Sequence, residues 1–150
     1  MGVILGLNCK AYRKTGGTWA SPTWTLIDNI RDAATNLEKG EADITTRGGG
    51  GFRQKVGTLK EGGIEFQMVW DTGDADFAAF KDAYFNDTDI VCWFSDLAAG
   101  TLNAQGLKAH FSVLNFTRNE QLENAVLVDV KLSPTFFSGE QPTWFVDPGP

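Results

Sequence analysis

Strict two-residue alternation recurs along this chain, whereas a helical period occurs only once. Ile64, Phe66, Met68 and Trp70 alternate with Glu65, Gln67 and Val69, so the first four share the buried face of an extended strand. Val126, Val128, Val130 and Leu132 repeat the pattern against Asp129 and Lys131. "TWTLIDNI" (Thr23–Ile30) and "EADITTR" (Glu41–Arg47) read as two further strands. "DIVCWF" (Asp89–Phe94) is apolar on both faces, which places it in the middle of a sheet or under cover on both sides. In "LKAHFSVLNFTRN" the apolar phase runs through Leu107, Ala109, Phe111 and Val113, then moves to Leu114 and Phe116. That shift predicts a bulge near Val113 and a bent strand.

The helical exception is "DTGDADFAAFKDAYFND", where Phe77, Phe80 and Tyr84 fall at i, i+3 and i+7 with Ala83 beside them. Asp71, Thr72 and Asp74 can cap its start, Asp74 and Asp76 suit the positive end of the dipole, and Asn86 and Asp87 end it. The aromatic stripe is read as a face that packs on a sheet. Strands, one helix, then strands, with no internal repeat and no long linker, predict one domain over residues 1–150. Its class is mainly β (α+β): a β-sandwich or partly closed β-barrel with one packed α-helix. At 150 residues such a domain needs no disulfide or metal staple. After the last strand, "FFSGEQPTWFVDPGP" reads as an extended tail, at about 135–150, that frays or docks.

Charge and motif spacing exclude several functions. Thirteen Lys and Arg against 19 Asp and Glu give a net charge of -6, which repels nucleic acid and anionic membrane at long range. The start "MGVILGLNCKAYRK" has no basic region ahead of its short apolar run and no cleavage site, so no signal peptide is expected, nor a membrane anchor; synthesis is expected in the cytoplasm. Cys9 and Cys92 sit in apolar segments without a nearby His, and are read as two reduced core thiols. The run Gly48, Gly49, Gly50, Gly51 could in principle form an anion nest. It is followed by "FRQKVG" rather than a Lys-Ser/Thr pair opening a helix, so it is not a phosphate loop. The sole histidine, His110, alternates with Lys108 and Ser112 and is expected on the surface; no nucleophile motif accompanies it. No enzyme, cofactor or metal site is expected. Of the five tryptophans, Trp19 and Trp144 remain as exposed platforms, compatible with a carbohydrate-binding β-sandwich or with a protein interface.

Four stretches taken together carry a resemblance: "WTLIDNIRDAATNLEKGEADITTR", "GTLKEGGIEFQMVWD", "DADFAAFKDAYFN" and "GLKAHFSVLNFTRNEQLENAVLVDVKLSP". Over roughly residues 22–134 the chain resembles the major tail tube proteins of long-tailed bacteriophages, themselves similar to the type VI secretion tube protein. The resemblance implies a virion structural protein made in the bacterial cytoplasm and located in the tail. Its partners are then copies of itself in stacked, hexameric rings, with tape measure and terminator proteins, and DNA transits the lumen unbound. It also implies that a long glycine-bearing loop at about 47–57 is the arm that reaches the next ring, mobile before assembly. Arg47, Gly48, Gly49, Gly50, Gly51, Phe52, Arg53 and Lys55 make up that arm, the glycines permitting any turn, Phe52 an apolar anchor, and the cations attraction to an acidic neighbour. Trp144 is the candidate for a subunit interface. Glu41, Asp43 and Glu65, on polar phases, are the candidates for an acidic lumen.

Overall fold

The computed structural model describes residues 3–123 and 125–149. These form one helix, α1 (Ala75–Phe85), and eight strands: β1 (Lys10–Gly17), β2 (Pro22–Leu26), β3 (Ile30–Asp43), β4 (Lys55–Val69), β5 (Asp89–Ser95), β6 (Gln105–Asn119), β7 (Leu127–Pro134) and β8 (Thr143–Val146). All strands join one antiparallel sheet in the order β2-β1-β5-β6-β7-β4-β3, with β8 paired to β6. The mainly β architecture with one packed helix is as expected. The strands make a single open sheet, because β2 and β3 end the order without pairing to each other.

The alternating rows meet in register. Ile64, Phe66 and Met68 stand opposite Leu132, Val130 and Val128, and these pack with Leu107, Ala109, Phe111 and Val113 of β6 and Ile90 and Cys92 of β5. The helix closes this core with Phe77, Phe80 and Ala83. Phe80 meets Phe66 edge-on at 5.4 Å between ring centres, and Phe77 meets Trp70 at 4.8 Å. The bulge falls where the apolar phase shifts: Val113 pairs with Leu132 and Asn115 with Lys131, so Leu114 has no partner.

The helix starts at Asp74, whose carboxylate accepts from the backbone N–H groups of Asp76 at 2.7 Å and Phe77 at 3.4 Å. Asn86 caps its end. Two of its residues depart from the sequence reading. Tyr84 is 40% exposed at the rim of the core, stacked on Phe116. Asp76 does not merely face the dipole; it is buried, and the Arg13 Nε–H donates to it at 2.8 Å, tying α1 to β1.

"TWTLIDNI" is not one strand. β2 stops at Leu26, Ile27 turns inward with its N–H donating to the Ala11 carbonyl at 2.9 Å, and the Asn29 side chain donates to the Val69 carbonyl at 3.2 Å. These bonds carry the chain from one end of the sheet to the other. β3 then runs from Ile30 to Asp43, so "EADITTR" holds only the end of a 14-residue strand. The intervening residues are mostly exposed on both faces and therefore carry no apolar period.

β5 is covered on both sides as its composition predicts. Cys92 faces the helix core, whereas Trp93, on the opposite face, is fully buried against Tyr12, Trp24 and Phe145. Gly106 permits the close approach of β6 to β5, since a Cβ there would lie within 1.6 Å of the Phe94 carbonyl oxygen. Cys92 is a buried thiol, and burial raises its pKa above the ordinary thiol value. Cys9, read as a second core thiol, is exposed: it follows a single 3-10 turn at Gly6–Asn8 and precedes β1, outside the sheet.

Phe80 is fully buried between sheet and helix. Phe80→Ala is expected to lower the unfolding free energy by about 3–5 kcal/mol, read by chemical denaturation followed by circular dichroism.

Candidate assembly surfaces

The most prominent surface is a ribbon. β4 pairs with β7 only from Ile64 onward, whereas β3 and β4 pair out to Asp43 and Lys55. Beyond Ile64 the two strands thus run on without a third, as an exposed hairpin from Asn36 and Gly63 outward. The glycine run lies at its tip. Strand pairing replaces the long unstructured loop expected at 47–57, because Lys55, Val56 and Gly57 are already bonded into β4.

The tip is built from local hydrogen bonds. The Ile44 N–H donates to the Gln54 carbonyl at 2.9 Å, the Gln54 N–H to Thr45 Oγ1 at 2.8 Å, and the Thr45 N–H to Asp43 Oδ1 at 2.8 Å. Hydrogen bonds from the Thr45 side chain and backbone hold the Asp43 carboxyl below its ordinary pKa. Arg47, Gly48 and Gly49 form one 3-10 turn, and Gly50 and Gly51 follow with φ of 68° and 88°, a conformation that favours glycine. The turn leaves Phe52 76% exposed, with Arg53 exposed beside it. Lys55 instead bonds Glu41 at 2.9 Å, an exposed pair worth at most about 1 kcal/mol.

Of the three acids singled out above, Glu41 and Asp43 lie together on the outer ribbon beside Lys55. Glu65 lies apart at the ribbon's base, on the opposite face, 3.9 Å from the Lys131 ammonium.

A second surface is the groove between the two ends of the sheet. It encloses about 960 Å³ and is lined by Leu7, Leu26, Ile30, Arg31, Leu107 and Trp144 among others. Trp144 is 54% exposed there, its indole N–H donating to Gln105 Oε1 at 2.9 Å. Val3, Ile4, Leu5 and Leu7 are exposed as well. Contiguous exposed apolar groups of this kind mark contact surfaces.

The tail does not fray over its described length. It crosses the outer face of β6, and β8 pairs with Gln105–Lys108. His110, expected on the surface, is buried there. Its Nδ1 lies 2.8 Å from Asp89 Oδ2 and its Nε2 2.6 Å from Glu140 Oε2. Its ring stacks on Phe137 at 4.1 Å and on Trp19 at 5.2 Å. Next to it the buried Lys108 ammonium donates to the Trp19 carbonyl at 2.9 Å and lies over the rings of Trp19 and Phe145. Burial lowers the Lys108 pKa, and the charge of Glu140 works in the opposite direction. Trp19 is consequently a packing residue and not an open platform. The alternating pattern of β6 concealed this cluster, because its partners lie 21, 30 and 89 residues away.

No protein-family model and no curated protein sequence matches the chain. Solved structures match it by fold. The chain is similar to one in the tail of an empty GTA particle refined with C6 symmetry: 12% identity, TM-score 0.71, covering 95% of this chain and 99% of that one. It is similar to the SPP1 tail tube at 18% identity and a TM-score of 0.70, over 97% of this chain and 81% of that one. A chain in the baseplate of the anti-feeding prophage matches at 7% identity and a TM-score of 0.59, over 97% of both. The fold is that of tail tube structures.

His110→Ala removes the group that joins β6 to the tail. It is expected to cost about 1–3 kcal/mol, the range for stranding buried hydrogen-bonding partners, and to open the segment around Phe137–Glu140 to limited proteolysis. Unchanged cleavage of that segment would show that β8 alone holds the tail.

Proposed function

We propose that this chain is a structural, non-enzymatic subunit of a bacteriophage tail tube or a phage-derived tube. It self-assembles into stacked six-fold rings whose lumen passes DNA. The observation that carries this reading is the likeness of fold, at TM-scores of 0.71 and 0.70, over nearly the whole chain, to two tail structures. The C6 symmetry of the first supports the six-fold ring.

Each surface takes a role in such an assembly. The ribbon tip, with Phe52 and Arg53 exposed on a glycine turn, contacts the next ring. The groove with Trp144 contacts a neighbour within the ring. Tape measure and terminator proteins are the chain's partners in the virion tail. The net charge of -6 disfavours retention of DNA in transit, and Glu41, Asp43 and Glu65 are the candidate lumen acids.

Electron microscopy of the purified protein tests the assembly directly: rings and tubes are expected, and dispersed monomers at high concentration would refute it. A variant in which residues 46–53 are replaced by a short hairpin turn is expected to keep its circular dichroism spectrum, since loop shortening changes closure entropy by only about 1 kcal/mol. It is expected to stop at single rings. Long tubes from this variant would remove the tip from the inter-ring contact.

A further inference from the structure

The register of the ribbon sets two like-charged pairs back to back. Glu38 stands directly opposite Glu61, and the next position sets Lys39 opposite Lys60. Residues paired across strands share a face and successive residues point to opposite faces. One face therefore carries two carboxylates and the other two ammonium groups. Like charges directly opposite each other destabilise a strand pair. Among the described residues none of the four takes part in a side-chain hydrogen bond or ion pair.

The surroundings sharpen the contrast. On the acidic face the neighbouring positions are Asn36 and Gly63 on one side, and Gly40, Ala42 and Val56 on the other, with no cation among them. On the basic face the acids Glu41 and Asp43 both lie at Lys55, which bonds Glu41 and stands opposite Asp43, and among the described residues neither acid forms an ion pair with Lys39 or Lys60. On the inner side Gly63, opposite Asn36, follows on the acidic face and Gly62, opposite Leu37, on the basic one, whereas on the outer side the register shifts between Lys39 and Glu41.

Resting on the reading of the chain as a self-assembling tube subunit, we propose that the acidic face of one ribbon seats on the basic face of the ribbon of a second copy. A partner of either sign satisfies one face and leaves the other unmatched. A copy of this chain satisfies both. The contact is heterologous, joining different faces of the two copies, and such contacts propagate into rings or helical stacks. In the assembly, each like-charged pair gains the opposite pair that the isolated subunit lacks.

The test exchanges charges in the full chain, with circular dichroism to establish folding and sedimentation plus electron microscopy to read assembly. Lys39→Glu/Lys60→Glu gives two acidic faces, and Glu38→Lys/Glu61→Lys gives two basic ones. Each variant alone is expected to need on the order of tenfold more protein to assemble. An equimolar mixture of the two, and the fourfold exchange in one chain, are expected to assemble as the wild type does. Wild-type assembly that either double variant matches on its own would overturn the proposal, as would a mixture that fails to recover. A wild-type protein that forms no rings would instead overturn the tube reading, and this proposal with it.

Discussion

The middle of β6 is buried on both faces, and the rest of the molecule is arranged to make that possible. Gly106 to Phe111 are all buried, which requires a layer on each side of the strand. Leu107, Ala109 and Phe111 face the helix, where apolar packing suffices. Lys108 and His110 face the other way, and burying them demands hydrogen-bonding partners. The Trp19 carbonyl serves Lys108, while Asp89 and Glu140 flank His110. The β1–β2 turn and the tail are thereby fixed by the polar face of one strand.

Past Leu114 the same strand changes character. The bulge moves Asn115 opposite Lys131, and most of the residues from Leu114 to Asn119 lose their cover. β4 changes in the same way at Ile64, which is fully buried although the residues before Gly62 are exposed. The domain thus has a double-layered body and a two-stranded extension. A lone two-stranded ribbon is marginal in water, and here it also carries opposed like charges at Glu38/Glu61 and Lys39/Lys60. Its exposed apolar residues, Phe52 and Leu59 foremost, add to the same imbalance. A surface so composed is more stable when covered than when free.

The residues that fixed the body are local and periodic. The inner part of β4 from Ile64, the strands β5, β6 and β7, the helix with its Asp74 cap, and the bulge beside Val113 were legible because each has one or two buried faces, and burial writes a period into the sequence. β3 was legible only at its end, since a strand exposed on both faces needs no apolar alternation. The glycine run was visible as a loop, but not as the tip of a paired ribbon, because cross-strand pairing leaves no mark on composition. Cys9 was placed wrongly because it was read as part of an apolar strand, whereas β1 begins after it; the burial of His110 and of Asp76 was missed for a different reason. A polar side chain reads as exposed until its partner is known, and the partners of His110 and Asp76 come from elements distant along the chain. The sequence by itself determined the fold class, the helix and its core face, since these follow from periodicity and capping. Only the tertiary structure decided the clamp on His110, the reach of the ribbon and the opposed charges across it, since register and long-range pairing exist only once the chain has folded.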